Sequence, residues 1–159
     1  MEAEGQREEL VRFVDEVGLF YEDLGLPRSW GRVLGWLMVC EPDYQSAEDL
    51  ATILHASRGS ISMTTRSLVR AGLVERQPMR GDRRTYYRIR PGAWTALFEQ
   101  QTRTTTRLRE LAKRGLAALE GESAQRRHRL EELEDLATFY EREAPALLAR
   151  WHRERRQDL

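Results

Sequence analysis

The fold is decided by residues 57–74, which read SRGSISMTTRSLVRAGLV. Ser57 is a favourable N-cap residue, and Gly72 readily adopts the left-handed conformation that follows many helix ends. The segment therefore predicts a helix from Ser57 to about Ala71. At the helical period, one side of this helix is suited to packing and is predicted to face the core. This inner face consists of Ile61, Thr64, Thr65 and Leu68.

The outer face of the same helix carries small, hydroxyl-bearing or cationic side chains and no carboxylate. A phosphate-lined groove repels carboxylates and admits short side chains close to the bases, so this composition favours the major groove of DNA. The alternative, an ordinary solvated face, would be expected to carry Glu or Asp. We expect Arg66 to read bases beside Ser60 and Met63, and Arg58 and Arg70 to contact phosphates. The predicted DNA-contacting residues of this helix are Ser57, Arg58, Gly59, Ser60, Ser62, Met63, Arg66, Ser67 and Arg70.

A second short helix is predicted just before this one. Ser46 can cap the backbone N–H three residues on, and the acidic Glu48 and Asp49 suit the positive end of a helix. The predicted helix stops near His55. Two short helices separated by about three residues, the second ending in Gly-Leu-Val, form a helix-turn-helix pattern.

A β-hairpin is predicted to follow as a wing. Residues 73–77 and 84–90 have strand propensity, and Gly81 between them suits a turn. A flexible cationic tip can enter the narrow minor groove, where the negative potential is enhanced. Asp82 is the one acid at the tip, and we interpret it as a wing organiser that pairs with a neighbouring arginine, not as a catalytic acid. The predicted DNA-contacting residues of the tip are Arg80, Arg83 and Arg84.

The net charge of zero conceals a strong segregation of charge. Residues 1–56 carry four Arg against twelve Asp and Glu, which gives −8. Residues 57–90 carry nine Arg against Glu75 and Asp82, which gives +7, and residues 91–159 carry thirteen basic against twelve acidic residues, which gives +1. A block rich in Arg and free of Lys suits phosphate and base edges, because the planar guanidinium binds both bidentately.

Helical periodicity continues on both sides of the helix-turn-helix and wing. The predicted helices cover residues 8–24, 30–40, 93–119 and 123–153, with Pro145 kinking the last one or starting a new helix. The C-terminal pair has amphipathic stripes longer than a small winged helix can cover, so a second subunit is expected to bury them. The predicted fold is mainly α with a small β-wing, a winged helix-turn-helix plus long dimerisation helices. Its regions are 1–43, N-terminal helices that support core and dimer; 44–91, the winged helix-turn-helix; and 92–159, the C-terminal dimerisation region.

Other features restrict the class of function. Cys40 has no partner for a disulfide within the chain, and we interpret it as an inert core residue, with redox sensing as the alternative. The three histidines lack metal-ligand spacing, and no catalytic or phosphate-loop motif occurs, so we predict no enzyme activity, metal or cofactor. The acidic N-terminus and the short apolar runs predict a cytoplasmic chain that does not enter a membrane. Gly31 and Gly35 have a spacing that favours close helix packing.

At the helix-turn-helix and the wing, and in a segment before them, the chain resembles the MarR family of bacterial regulators, and within it the GbsR-type branch. The resemblance extends over residues 8–95. Its first part is Gly-Leu-Pro at residues 25–27, which is typical of the GbsR-type branch. Its other parts are Ala-Glu-Asp-Leu-Ala at 47–51, Ser-Arg-Gly-Ser-Ile-Ser-Met at 57–63, Leu-Val-Arg-Ala-Gly-Leu-Val at 68–74 and Gly-Asp-Arg-Arg-Thr-Tyr-Tyr at 81–87.

The resemblance implies a homodimer that binds a palindromic operator in double-stranded DNA, usually as a repressor, with recognition helices about 34–36 Å apart. The family's Asp-x-Arg wing pattern is matched by Asp82 and Arg84, which makes Arg84 the minor-groove candidate, with Arg83 beside it. The Leu-Thr-Pro-type segment that usually follows the wing is replaced by Ile-Arg-Pro-Gly at residues 89–92. The alternative from another class is a helical interaction module whose winged helix recognises protein, and the carboxylate-free helix face argues against it.

The resemblance also implies a site for a small-molecule effector, in a cleft between the helical dimer region and the winged helix. Aromatic side chains suit such a cleft, although aromatic packing between domains is the alternative for each of them. The candidate effector-pocket residues are Tyr21, Trp30, Trp36 and Trp94.

Overall fold

The computed structural model describes the backbone of residues 2–155 and the side chains of residues 5–155. The predicted fold class is confirmed, since the chain is mainly helical and has one small sheet. It forms two compact units, Met1–Ala93 and Trp94–Leu159. The elements in order are α1 (Glu2–Asp23), α2 (Arg28–Val39), β1 (Gln45–Ser46), α3 (Ala47–Ile53), α4 (Arg58–Arg70), β2 (Val74–Pro78), β3 (Thr85–Ile89), α5 (Ala93–Ala118) and α6 (Ala124–Arg155).

Helices α1 and α2 pack closely in the first unit, because glycines let their backbones approach. A Cβ on Gly31 would overlap the carbonyl oxygen of Val17, and one on Gly35 would lie 3.2 Å from the Cα of Val14. Helix α2 is central to the core of this unit and buries Val33, Leu34 and Leu37. Helix α1 begins six residues earlier than predicted, since the apolar pattern marks only the part of a helix that needs burial.

The helix-turn-helix, α3 and α4, is fixed by local hydrogen bonds. The Ser46 hydroxyl accepts from the backbone N–H of Asp49 while the Asp49 carboxylate accepts from the backbone N–H of Ser46, a complete capping box. His55 turns the chain between the helices at a φ of 49°, a left-handed conformation in which His occurs more often than most non-glycine residues. Ser57 caps α4 at the backbone N–H of Ser60.

The sheet has three antiparallel strands in the order β1-β3-β2. Strands β2 and β3 form the predicted hairpin, in register from Val74 opposite Ile89 to Pro78 opposite Thr85, and Gly81 turns between them at a φ of 84°. The sequence pattern predicted no strand before α3, but Gln45 and Ser46 pair with Tyr87 and Tyr86 as a third strand. A two-residue strand has no periodicity of its own, and its pairing depends on residues about forty positions away.

The second unit consists of α5 and α6, separated at Gly121 with a φ of 79°. Arg109 on α5 pairs with Glu141 on α6 at 3.0 Å, and Lys113 with Glu134 at 3.7 Å. Helix α6 runs through Pro145 as one helix, so the predicted start of a new helix there is wrong. No helix within residues 2–155 has the length and apolar character needed to cross a membrane.

Candidate nucleic-acid interface

Helix α4 has the two faces that its sequence predicts. Its buried residues are Ile61, Thr64, Thr65 and Leu68, with Thr65 and Leu68 fully inaccessible. The two threonines satisfy their hydroxyls inside the core, because Thr65 donates to the Ile61 carbonyl at 2.8 Å and Thr64 to the Ser29 hydroxyl at 3.0 Å. The helix is thereby held by one face, and the other is presented to solvent.

The outer face is exposed along most of its length, and Ser60 and Ser67 on its flanks are half-buried. Met63 exposes 65% of its surface. The Arg66 Nε donates to the Ser62 carbonyl at 3.1 Å, one turn earlier. Among the described residues neither Nη group of Arg66 has a hydrogen-bond partner. The fully exposed members of this face are Ser57, Arg58, Gly59, Ser62, Met63, Arg66 and Arg70.

Arg58, a predicted phosphate contact, is paired in the structure. Its Nη2 lies 2.7 Å from the Oε1 of Glu48 on α3, with 80% of the arginine side chain exposed. Arg70 at the other end of the helix has no ion pair among the described residues. An ion pair this exposed contributes little to the free energy of folding. Arg58 can therefore exchange Glu48 for a DNA phosphate with little loss of stability. Only the packing of α3 beside α4 brings this carboxylate to the interface.

Asp82 organises the turn of the wing through four hydrogen bonds. Its Oδ1 accepts from the backbone N–H of Arg84 at 2.8 Å. Its Oδ2 accepts from the Nε and Nη2 of Arg84 at 2.9 and 2.8 Å, and from the hydroxyl of Tyr86 at 2.8 Å. The Arg84 guanidinium also lies over the Tyr86 ring, 5.2 Å from its centre.

These contacts keep Asp82 charged. The Arg84 side chain, then the Arg84 backbone N–H and the Tyr86 hydroxyl, hold the pKa of Asp82 well below its usual range, and the same contacts raise the pKa of Arg84 and of Tyr86. A lowered carboxyl pKa means that the contact is complete above the ordinary Asp value, about 3.9, and is lost only as the pH falls further. The wing therefore keeps this arrangement across the neutral range.

The remaining arginines of the arginine-rich residues 57–90 differ in whether they form an ion pair. Arg88 pairs across the hairpin with Glu75 at 2.6 Å and is part of the sheet. Arg80 and Arg83 are exposed at the wing and have no ion pair within the described part of the chain. Arg76 on β2 is likewise exposed and has no ion pair among the described residues, which makes it a further candidate that sequence reasoning did not select. Its position within the arginine-rich residues 57–90 could have indicated it. The sequence does not show, however, which side chains of β2 are exposed and which face the core.

Comparisons with known proteins agree with this geometry. Residues 24–85 match the family model described as "MarR family", and residues 92–154 match the one described as "MmpR5-like MarR family transcriptional regulator". The HTH-type transcriptional regulator MmpR5 of Mycobacterium tuberculosis (strain ATCC 25618 / H37Rv) is 41% identical over 154 residues, which cover 97% of this chain and 93% of the relative. The chain belongs to the MarR family. It is a transcriptional regulator of the MmpR5-like kind.

A solved structure gives the same result for the fold of this MarR-family chain. The crystal structure of a transcriptional regulator, 42% identical in sequence, superimposes with a TM-score of 0.76 and covers 91% of this chain and 99% of that one.

The four candidate effector-pocket residues of this MarR-family regulator do not share one environment. Tyr21 is buried in the core of the first unit, and Trp30 and Trp36 pack against that core, as the packing alternative expects. The indole N–H of Trp36 is buried and has no hydrogen-bond partner among the described residues. Trp94 is 39% exposed and belongs to the second unit.

Proposed function

We propose that the chain is a sequence-specific DNA-binding regulator that acts in the cytoplasm as a homodimeric repressor on a palindromic operator. One observation carries the proposal: α4 is anchored by a buried face and exposes a second face without a single carboxylate, next to a cationic wing. An ordinary solvated surface intersperses both signs of charge, and this face carries positive charge alone. A polyanion with a groove as wide as a helix is the ligand that such a surface fits.

Helix α4 is assigned to the major groove. Arg66 has no partner for either Nη group within the described part of the chain, which suits the bidentate contact with guanine that arginine makes most often. Ser60, Gly59 and Met63 lie towards the helix N-terminus, where small or apolar groups permit close approach to base edges. Arg70 and Arg58 lie nearer the two ends and are assigned to phosphates. Ser57, Ser62 and Ser67 complete this surface as hydroxyl donors.

The wing is assigned to the minor groove. Arg84 and Arg83 are the candidates for insertion there, with Arg80 on the adjacent backbone, and Asp82 holds the turn. A narrow minor groove concentrates negative potential and attracts arginine. These contacts add affinity that depends little on base sequence.

Dimerisation is assigned to the second unit. Within residues 94–155, only Ala112, Ala137 and Ala144 are buried. Every large apolar side chain within this range of the two helices, which have 26 and 32 residues, stays exposed or half-buried, so a second copy is needed to cover them. A twofold axis would place two α4 helices on successive major grooves, about 34–36 Å apart.

Two further assignments belong to the proposal. The GbsR-type branch rests on Gly25-Leu26-Pro27 alone, whereas the matching family descriptions are MarR family and MmpR5-like. A small-molecule effector is supported by the unpartnered N–H of Trp36, which a ligand acceptor could satisfy.

Fluorescence anisotropy tests the proposal, with a labelled duplex from the region upstream of the chain's own gene. We expect tight binding that weakens steeply with salt, because neutralised phosphates release counterions. Arg66→Ala should lose about 1–3 kcal/mol of binding free energy and relax base preference. Replacing Arg83 and Arg84 together with Ala should weaken binding to all duplexes and flatten the salt slope by about 2.

Arg12→Ala is the matched control, since Arg12 on α1 is 73% exposed and its one ion pair within the described residues is with Glu8. It removes the same charge from outside the proposed interface and should leave affinity unchanged. Binding that no duplex sequence improves over a random one, or that survives both interface changes, would contradict the proposal. That outcome would favour the protein-interaction module.

A further inference from the structure

Tyr86 is fixed on β3 by the sheet and by a neighbouring ring. Its backbone lies between those of Ser46 on β1 and Gln77 on β2, so both edges of its strand are paired. Its ring meets that of Tyr44 edge to face, with centres 5.4 Å apart and planes at 89°. The residue is 8% exposed. Tyr86 is therefore a rigid point at the base of the wing.

The hydroxyl of this rigid residue reaches the wing turn. It donates to the Oδ2 of Asp82 at 2.8 Å, the oxygen that also accepts from the Arg84 side chain. The Tyr86 ring supports the same guanidinium from one side. Arg84 is thus held by a carboxylate that is itself tied to the sheet.

The contact leaves one edge of Arg84 free. The guanidinium uses its Nε and Nη2 for Asp82, which leaves both hydrogens of Nη1 and the second hydrogen of Nη2. One hydrogen of Nη1 and the second hydrogen of Nη2 lie on the outer Nη1–Nη2 edge, the fork that matches a phosphate or two groove acceptors. The side chain is 52% exposed. Arg80 and Arg83, with no such partner within the described part of the wing, must be ordered by the ligand.

We propose that Tyr86 is a positioning residue for DNA binding, whose hydroxyl holds Asp82 so that Arg84 presents its Nη1–Nη2 edge before DNA arrives. The inference rests on the proposed function and adds to it a residue outside the predicted contact surface. An arginine already ordered in the free protein loses less conformational freedom on binding, so affinity rises without a new contact to DNA.

A purely structural role for Tyr86 makes a different prediction. The ring alone supplies the packing against Tyr44 and the contact beneath Arg84, whereas the hydroxyl acts only on Asp82. The adjacent Tyr87 offers a matched comparison, because it is buried in the core and its hydroxyl has no hydrogen-bond partner among the described residues. Removing each hydroxyl in turn separates positioning from packing.

The test compares Tyr86→Phe, Tyr87→Phe, Arg84→Ala and the double variant of Tyr86→Phe with Arg84→Ala, by anisotropy on the same upstream duplex. We expect Tyr86→Phe to weaken binding about three- to tenfold, the cost of ordering one long side chain, and Tyr87→Phe to leave it unchanged. The double variant should bind as Arg84→Ala does, because the hydroxyl acts through Arg84. Equal losses from Tyr86→Phe with and without Arg84 would overturn the proposal, as would no loss at all.

A second readout needs no DNA. In ¹⁵N-labelled protein the Arg84 Nε–H should exchange slowly with water, and faster in Tyr86→Phe. Unchanged exchange overturns the positioning role even if the variant binds DNA weakly. If wild-type protein shows no specific binding while exchange responds, the proposed function fails and the positioning of Arg84 stands. Should Tyr86→Phe fold poorly, Asp82→Asn in the wing turn must show the same faster exchange, and unaltered exchange there overturns the proposal.

Discussion

Cys40 lies at the end of α2 with its thiol inside the core of the first unit. It is 8% exposed, and its Sγ approaches the Leu37 carbonyl oxygen at 3.9 Å. Burial raises the pKa of this thiol to about 11, so at pH 8 only about one molecule in a thousand carries the reactive thiolate. The environment favours the inert interpretation of Cys40 over redox sensing.

The prediction concerns the rate of thiol modification. At pH 8, native protein should react with a disulfide reagent such as Ellman's reagent about two orders of magnitude more slowly than urea-unfolded chain, whose cysteine has an ordinary pKa near 8.5. Cys40→Ser gives the background rate. A native rate close to the unfolded one would contradict the burial and reopen the redox alternative.

Single residues also show which contacts can be predicted from the sequence and which cannot. The pairing of Asp82 with a nearby arginine follows from their closeness in the chain and their opposite charges. The part of Tyr86 does not follow, because only the hairpin register brings its hydroxyl to the same carboxylate. Glu48 is similar, since its contact with Arg58 spans ten residues and depends on how α3 packs beside α4. Interactions between residues close in the chain can be predicted from the sequence, whereas contacts between separate helices and strands cannot.

At the scale of elements, the contact of α1 with α2 depends on missing side chains. We expect Gly31→Ala to destabilise the fold by about 1–3 kcal/mol, the usual cost of overpacking, because the new methyl group meets the Val17 backbone and not a movable side chain. Gly5→Ala on the same α1 is the control. Its Cβ meets nothing within 4 Å, so helix propensity alone should add up to about 1 kcal/mol.

Equilibrium urea unfolding measures both changes, at one fixed protein concentration because association would add to the apparent stability. The two glycine-to-alanine changes should have opposite signs. A stabilised Gly31→Ala variant would mean that α1 and α2 do not approach this closely in solution.

Periodicity predicted the faces of the elements better than their ends. The inner residues of α4 were all identified, because burial repeats at 3.6 residues whatever the surroundings are. The two residues of β1 were not, since a strand that short is defined only by its partner β3. The caps at Ser46 and Ser57 were also predictable, because each is a hydrogen bond to a backbone N–H only three residues away.

At the scale of the whole molecule, the three segments of different net charge form different parts of the structure. The positive block contributes α4 and the wing, the acidic block contributes α1 to α3, and the nearly neutral remainder forms the second unit. That unit exposes large apolar side chains that its own two helices do not cover. On α5 they are Trp94, Leu97, Phe98, Leu108 and Leu111, and on α6 Leu136, Phe139, Leu147 and Trp151.

A second copy of the chain is the expected cover, and Leu136 tests it, because it is 66% exposed in the single chain. Leu136→Glu should leave the isolated chain folded yet cost about 3–6 kcal/mol per dimer, since a twofold interface repeats the lost burial in both copies. Light scattering should give twice the 18.6 kDa chain mass for wild type and a value near the single mass for the variant.

The control for this change lies two residues further along α6. Thr138→Glu places the same carboxylate about 200° around the helix from Leu136, at a position that is also exposed, and this variant should stay dimeric. A wild-type monomer at micromolar concentration would refute dimerisation, whereas a dimeric Leu136→Glu variant would move the interface away from this face of α6. Operator binding should fall with the dimer, because each α4 alone contacts only a half-site.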